Sequence, residues 1–162
     1  MSDLLLKMPL QYEPLRKNRW LLRFPADLGI QEWWCKSAKR PSIKQPSKEI
    51  PFLNTYTYVV GRYTWDEIQV TLNDPIGPSA SQAVMEWVRL HSESVTGRQG
   101  YAAGYKRDVE LEMLDPTGVS VSKWILKNTM CTAADFGDLD YSSDDLATIQ
   151  LTLRFDYAIL AY

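Results

Sequence analysis

The chain is poor in the residues that carry most enzymatic and redox chemistry. Of its 162 residues one is a histidine, His91, and two are cysteines, Cys35 and Cys131. One imidazole excludes a site built on several histidines, and any Ser–His or Cys–His pair would depend on His91 alone. Two cysteines so far apart make no disulfide framework, and reduced thiols in a cytosolic setting are the expectation. Neither charge sign is in excess: 18 Lys and Arg stand against 20 Asp and Glu, for a net charge of −2. That balance argues against a nucleic-acid reader, which carries a basic face. No run approaches the roughly 18 apolar residues of a membrane span, so no membrane anchor is expected. Leu4-Leu5-Leu6 follows Asp3 and stops at Lys7, too short for a signal peptide, and synthesis and folding in the cytoplasm are expected. No glycine-rich phosphate cradle is present.

What the chain has in quantity is aromatic residues, 12% of the total, with six Trp and nine Tyr. These suit strands and are over-used at interfaces. A chain of this length forms one domain, 1–162, with a core of its own. The strongest pattern lies near the end. Ile149, Leu151, Leu153, Phe155 and Tyr157 alternate with Gln150, Thr152, Arg154 and Asp156. Period two predicts a strand with one buried face.

Upstream, residues 1–18 hold Pro9 and Pro14 and no period, and read as an arm. Strands are predicted over 19–24, with Trp20, Leu22 and Phe24 on one face, and more ambiguously over 32–38. Residues 39–53 carry Pro41, Pro46 and Pro51 without periodicity and read as a long loop. Strands follow over 54–60 and 67–73, separated by a bend at Gly61. One helix is predicted over about 81–94, capped by Ser79 with Gln82, with Ala80, Val84, Trp87, Val88 and His91 on one face. Gly97, Gly100 and Gly104 read as a flexible stretch. Asp115-Pro116-Thr117-Gly118 is a tight-turn signature joining strands 108–114 and 119–127 into a hairpin. The sum is a mainly β chain: an antiparallel β-sandwich or barrel of about seven strands with one α-helix.

The candidate chemistry is sparse. His91, on the apolar helix face, reads as a packed or interface histidine. The five aspartates of 135–145 lack the Gly and Glu of a calcium loop: counted from Asp138, those positions are Ser143 and Ile149. Asp135-Phe136-Gly137 matches a kinase tripeptide without the loops that go with it. Glu110 and Glu112 share a strand face as glycosidase carboxylates do, but a solvated strand face is far commoner and this spacing alone specifies little. Trp33-Trp34 reads as one core ring and one interface ring. No catalytic, cofactor or metal residue is therefore assigned. The apolar tail 158–162 calls for a fold-back or a neighbour, and sheet edges need cover.

The residues that remain resemble a known family, the tail tube proteins of contractile-tailed bacteriophages. The resemblance runs from about Asn18 to Tyr157. It rests on Asn18-Arg19-Trp20, Cys35-Lys36-Ser37-Ala38, Ile50-Pro51, and Gly61-Arg62-Tyr63-Thr64-Trp65-Asp66-Glu67-Ile68 with Val70-Thr71-Leu72-Asn73-Asp74. Tyr105-Lys106 and Gly137-Asp138-Leu139-Asp140-Tyr141-Ser142 complete it. The arm 1–18 and the tail 158–162 depart from the pattern. The resemblance implies hexameric rings stacked into a tube, the inner sheets of neighbours merging into one closed barrel. It implies a virion location, with the tail sheath, a baseplate or tube initiator, tape-measure and tail-terminator proteins as partners. DNA would pass without sequence-specific binding.

On that basis Asp108, Glu110 and Glu112, with Lys123 and Lys127 opposite, are candidates to line the lumen. A carboxylate-rich wall would repel phosphate, with the lysines offsetting it in part. Arg40, Ile43, Lys44, Lys48 and Phe52 are candidates for the contact between rings. The alternatives are a tube-initiating baseplate protein, the tube of a bacteriocin-like injection system, a carbohydrate-binding β-sandwich using Trp33, Trp34 and Tyr56, and last a hydrolase using Glu110 and Glu112.

Overall fold

The longest element is a sixteen-residue strand, β9, Ser120–Asp135, and the rest of the fold is arranged around it. The computed structural model describes residues 10–162. The run Leu4-Leu5-Leu6 and half of the 1–18 arm lie outside the described residues, while 10–18 is irregular and exposed. In chain order the other strands are β1 (Trp20–Arg23), β2 (Cys35–Ala38), β3 (Ile43–Lys44), β4 (Ser47–Phe52), β5 (Thr55–Val60), β6 (Thr64–Trp65) and β7 (Ile68–Asn73). After helix α1 (Ala80–His91) come β8 (Arg107–Leu114), β10 (Thr148–Arg154) and β11 (Tyr157–Leu160).

Seven strands form one antiparallel sheet in the order β1-β8-β9-β10-β7-β2, with β11 beside β9. β9 belongs to both halves of it. Residues up to 129 pair with β8 and β11, and residues from 130 pair with β10. The change of partner falls at Asn128, whose φ of 55° is left-handed. Two bonds hold it: its N–H donates to Asp108 (3.1 Å) and its side-chain amide donates to Asp156 (2.9 Å). Asn tolerates this conformation where a β-branched residue does not. Asn128→Val is therefore expected to cost about 1–3 kcal/mol, and Asn128→Gly, which loses only the side-chain bond, less. Urea denaturation measures both, and equal stability of the Val variant would contradict the role given to this pivot.

The core lies between the two halves. Leu22, Val109, Leu111 and Leu126 come from one, and Ile68, Val70, Leu72, Ile149, Leu151 and Leu153 from the other; all are buried. The alternation read in the final strand is the inward face of β10. Helix α1 adds Ala80, Val84 and Trp87, buried as its periodicity requires. The cap is Ser79, whose hydroxyl accepts from the Gln82 N–H. Asp74 adds a second support, accepting from the Ala80 N–H (3.2 Å) and the Ser81 hydroxyl (2.5 Å). The 115–118 turn forms as its residues predict. The Asp115 carboxylate accepts from Thr117 and from the Val119 N–H, and Gly118 takes φ 88°. The mainly β, antiparallel expectation is met, with one main helix. The sheet does not close within the chain, because β1 and β2 stand at its ends.

Five expectations are corrected. Residues 39–53 are not an irregular loop, since they hold β3 and β4, the first arm of the β4–β5 hairpin. The hairpin stands free of the core and buries neither face, so nothing imposes a period on it. Residues 32–38 begin as a 3-10 turn, Glu32–Trp34, and only Cys35–Ala38 is strand. The strand placed over 119–127 continues to Asp135. The strand placed over 149–157 ends at Arg154, and a bend at Asp156 starts β11, which leaves Tyr157 exposed. The stretch around Gly97 and Gly100 carries a Ser92–Gln99 bridge and a helical turn, Ala102–Tyr105. The apolar tail folds back as β11: Ile159 lies opposite Ile125, and the Ala161 N–H reaches the Lys123 carbonyl at 2.8 Å.

Candidate assembly surfaces

Pairing register decides which side chains share a face. Glu110 and Glu112 lie opposite Ile125 and Lys123 on β9, and opposite Arg23 and Leu21 on β1. Tyr157 and Ile159 of β11 continue the same face beside Lys127 and Ile125. The polar ribbon read from the sequence therefore exists, and the structure adds Arg23 to it. Each carboxylate has a cation. Lys127 meets Asp108 at 3.1 Å, Lys123 meets Glu110 at 3.2 Å, and Arg23 meets Glu112 at 3.4 Å. Arg23 also meets Glu32, at 3.1 Å, and is shared between the two carboxylates, so the three cations offset the charge of the ribbon in part. Glu112 is buried, and Arg23 is its compensation. No sequence pattern pointed to Arg23, whose strand pairs with β8 from far along the chain.

The hairpin is the second surface. All twelve residues of β4 and β5 are exposed. Among them Ile50, Phe52, Tyr56, Tyr58, Val59 and Val60 are large and apolar, and Leu53 at the tip is 86% exposed with φ 54°. At the base the Gly61 N–H reaches the Pro46 carbonyl at 2.6 Å. Of the ring-contact candidates, Lys48 and Phe52 lie on this hairpin. Ile43 and Lys44 sit beside its base in β3, opposite Trp65 and Thr64, and Arg40 precedes them. A two-stranded ribbon is at best marginally stable alone in water.

The remaining candidates resolve locally. Trp34 is 1% exposed and cannot stack on a sugar, while Trp33 is 67% exposed and touches Trp34 edge-on. Tyr56 is exposed on the hairpin. The 135–145 segment is an exposed loop, and among the described residues no group of three or more His, Cys, Asp or Glu could hold a metal. Cys35 and Cys131 are unpaired. Burial pushes their thiols up to about 12 and about 11, with Glu32 adding to the effect at Cys35, so neither is an activated nucleophile. No described helix is long and apolar enough to cross a membrane.

His91 is packed, and it ties α1 to β9. Nδ1 lies 2.8 Å from the Trp87 carbonyl, Nε2 takes the Cys131 N–H at 3.1 Å, and the ring stacks on Tyr105 at 4.4 Å. Only the neutral Nδ1–H tautomer satisfies both partners. Desolvation lowers the His91 pKa below 6.5, against the opposing bond to Trp87. The unfolded chain thus binds the proton more readily than the native one. Stability is fully present above about pH 6.5 and declines as pH falls through that value. The urea midpoint is expected to be lower at about pH 5.5 than at about pH 7.5, and the difference to be absent in His91→Gln. An unchanged difference in that variant would contradict the assignment.

No protein-family model matches the chain, and no curated relative matches it. Solved structures do match. A chain of the anti-feeding prophage cap, the AFP tube terminating cap, is 18% identical over 99% of this chain and 98% of that one, with a TM-score of 0.75. A chain of the PVC sheath/tube terminator, from an extracellular contractile injection system in the extended state, is 17% identical over 95% and 100%, also at 0.75. A chain of the PVC sheath–tube complex is 16% identical over 93% of each, at 0.73. At these identities the likeness is one of fold, and the fold is the one the tail-tube resemblance implied.

Proposed function

We propose that this chain is a structural subunit of the tube of a contractile injection apparatus, acting by self-assembly and without a chemical step. Its copies form hexameric rings that stack, and the hairpin of one ring packs against the next. The observation that carries this reading is the β4–β5 hairpin, twelve exposed residues, among them Ile50, Phe52, Tyr56, Tyr58, Val59 and Val60, on a fold shared with tube and terminator chains. Such a ribbon persists when a neighbour covers it. The partners are a contractile sheath, a baseplate or initiator, a tape-measure and a terminator. In the phage-tail form the particle is a virion and the cargo is DNA.

In this reading the ribbon of Asp108, Glu110, Glu112, Lys123 and Lys127 with Arg23 lines the lumen. Paired charges offer phosphate no net attraction, so DNA slides without binding. Glu110→Lys leaves Lys123 beside a second cation. It is expected to slow DNA release from assembled particles by roughly tenfold or more, and unaltered release would contradict the lumen placement.

A second reading is favoured by the two terminator structures: a single ring that caps the tube instead of repeating along it. Subunit copy number in purified particles separates the two. Many rings per particle support the tube, and six copies support the cap.

A further inference from the structure

The two ends of the open sheet, β1 and β2, border a groove of about 460 Å³. Its floor is apolar, with Leu111 and Met113 almost fully buried and Trp20 half-buried. Its rim is basic. Arg16, Lys17, Lys36, Lys39 and Arg40 line it, all exposed, and no acidic side chain does. Among the described residues none of these five cations has a carboxylate within ion-pair distance, although ten such pairs occur elsewhere.

The opposite charges stand at the end of β9 and on the loop that joins it to β10. Asp135, Asp138, Asp140, Asp144 and Asp145 lie within eleven positions, with no Lys or Arg among them. None meets a cation among the described residues. The same loop holds Leu139, 91% exposed, and Tyr141, fully exposed. Apolar side chains this exposed, inside an acidic segment, match a basic groove with an apolar floor.

We infer that the 135–147 loop of one copy docks in the β1–β2 groove of a second copy, Leu139 and Tyr141 over the Trp20–Met113 floor and the aspartates against the rim cations. The occupant is a second copy because the five anions and five cations, complementary in sign and number, make no ion pair with one another within one chain. Such a contact is heterologous. Repeated, it closes a ring or continues as a filament. The inference rests on the self-assembly reading above, and it names the contact that joins neighbours.

The test uses three full-length variants: Lys36→Glu/Lys39→Glu/Arg40→Glu in the groove, Asp138→Lys/Asp140→Lys/Asp144→Lys in the loop, and the two sets combined. Circular dichroism checks that each is folded. Sedimentation velocity at low salt is expected to show the groove and loop variants associating roughly 100-fold more weakly than the wild type. Mixing them, or combining both sets in one chain, restores association. Salt of about 1 M, where the Debye length is ~3 Å, weakens the wild-type contact.

Wild-type behaviour of the groove variant, or a mixture that stays monomeric, overturns the inference. Tubes that form regardless of the groove also overturn it while leaving the tube reading intact. A salt-sensitive wild-type oligomer that needs the groove but is never hollow supports the docking and removes the tube. Binding of a labelled oligonucleotide that needs the groove, with self-association unaffected, assigns the groove to phosphate and overturns the inference.

Discussion

A chain in which residues 48–59 are replaced by Asn-Gly is expected to fold and to form no tubes. Ser47 and Val60 face each other across the first rung of the hairpin, so a two-residue type I′ turn closes the gap without strain. The excised residues are exposed along their whole length and contribute nothing to the core. Melting should therefore shift by no more than about 2 °C, the range of surface changes in a domain of this size. Assembly should respond very differently. The removed surface includes Phe52, Leu53, Tyr56 and Tyr58, and aromatic anchors of this kind dominate interface energies. The concentration needed for tube growth should rise by roughly 100-fold or more. Tubes growing from this variant at the wild-type concentration would show that the hairpin does not join rings.

Trp87→Ala has the largest expected effect on the fold itself. Trp87 is 1% exposed. Its indole N–H donates to the Tyr105 carbonyl at 2.9 Å, its ring meets Phe24 edge-on at 6.0 Å, and its own carbonyl is the His91 partner. One side chain thus holds α1 to Phe24 and to the 102–105 turn. Truncation opens a cavity and leaves the Tyr105 carbonyl without this donor, at a cost of about 3–5 kcal/mol. Against a total stability of about 5–15 kcal/mol this is a large fraction. The melting temperature should fall by roughly 10 °C or more. Trp87→Phe keeps the ring contact and loses the N–H, and should cost about 1–2 kcal/mol. A cost below about 1 kcal/mol for the Ala variant would show that α1 is not docked through this residue.

Period-two and period-3.6 patterns made the core legible. Ile68, Val70 and Leu72, then Ile149, Leu151 and Leu153, alternate because one face of each strand is buried, and Val84 and Trp87 repeat for the same reason along α1. Where burial is missing, so is the pattern. β4 and β5 carry apolar residues on both faces, and the prolines made β4 read as loop although Pro51 pairs with Tyr56 in an exposed ribbon that tolerates it. The pivot at Asn128 was hidden because one asparagine inside a strand-forming stretch does not reveal a left-handed φ. The polar ribbon was found from the alternation of Asp108, Glu110 and Glu112. The part of Arg23 was not, because it reaches Glu112 only through the pairing of β1 with β8. The β1–β2 groove is likewise a product of topology, bringing residues 15–20, 36–40 and 111–113 together.

The most direct measurement is electron microscopy of the purified full-length protein across a concentration series. Hollow tubes, or stacked rings with six-fold end views, are expected above a threshold concentration. A monodisperse monomer at every concentration, with the hairpin protected from proteolysis without any partner, would contradict a tube subunit.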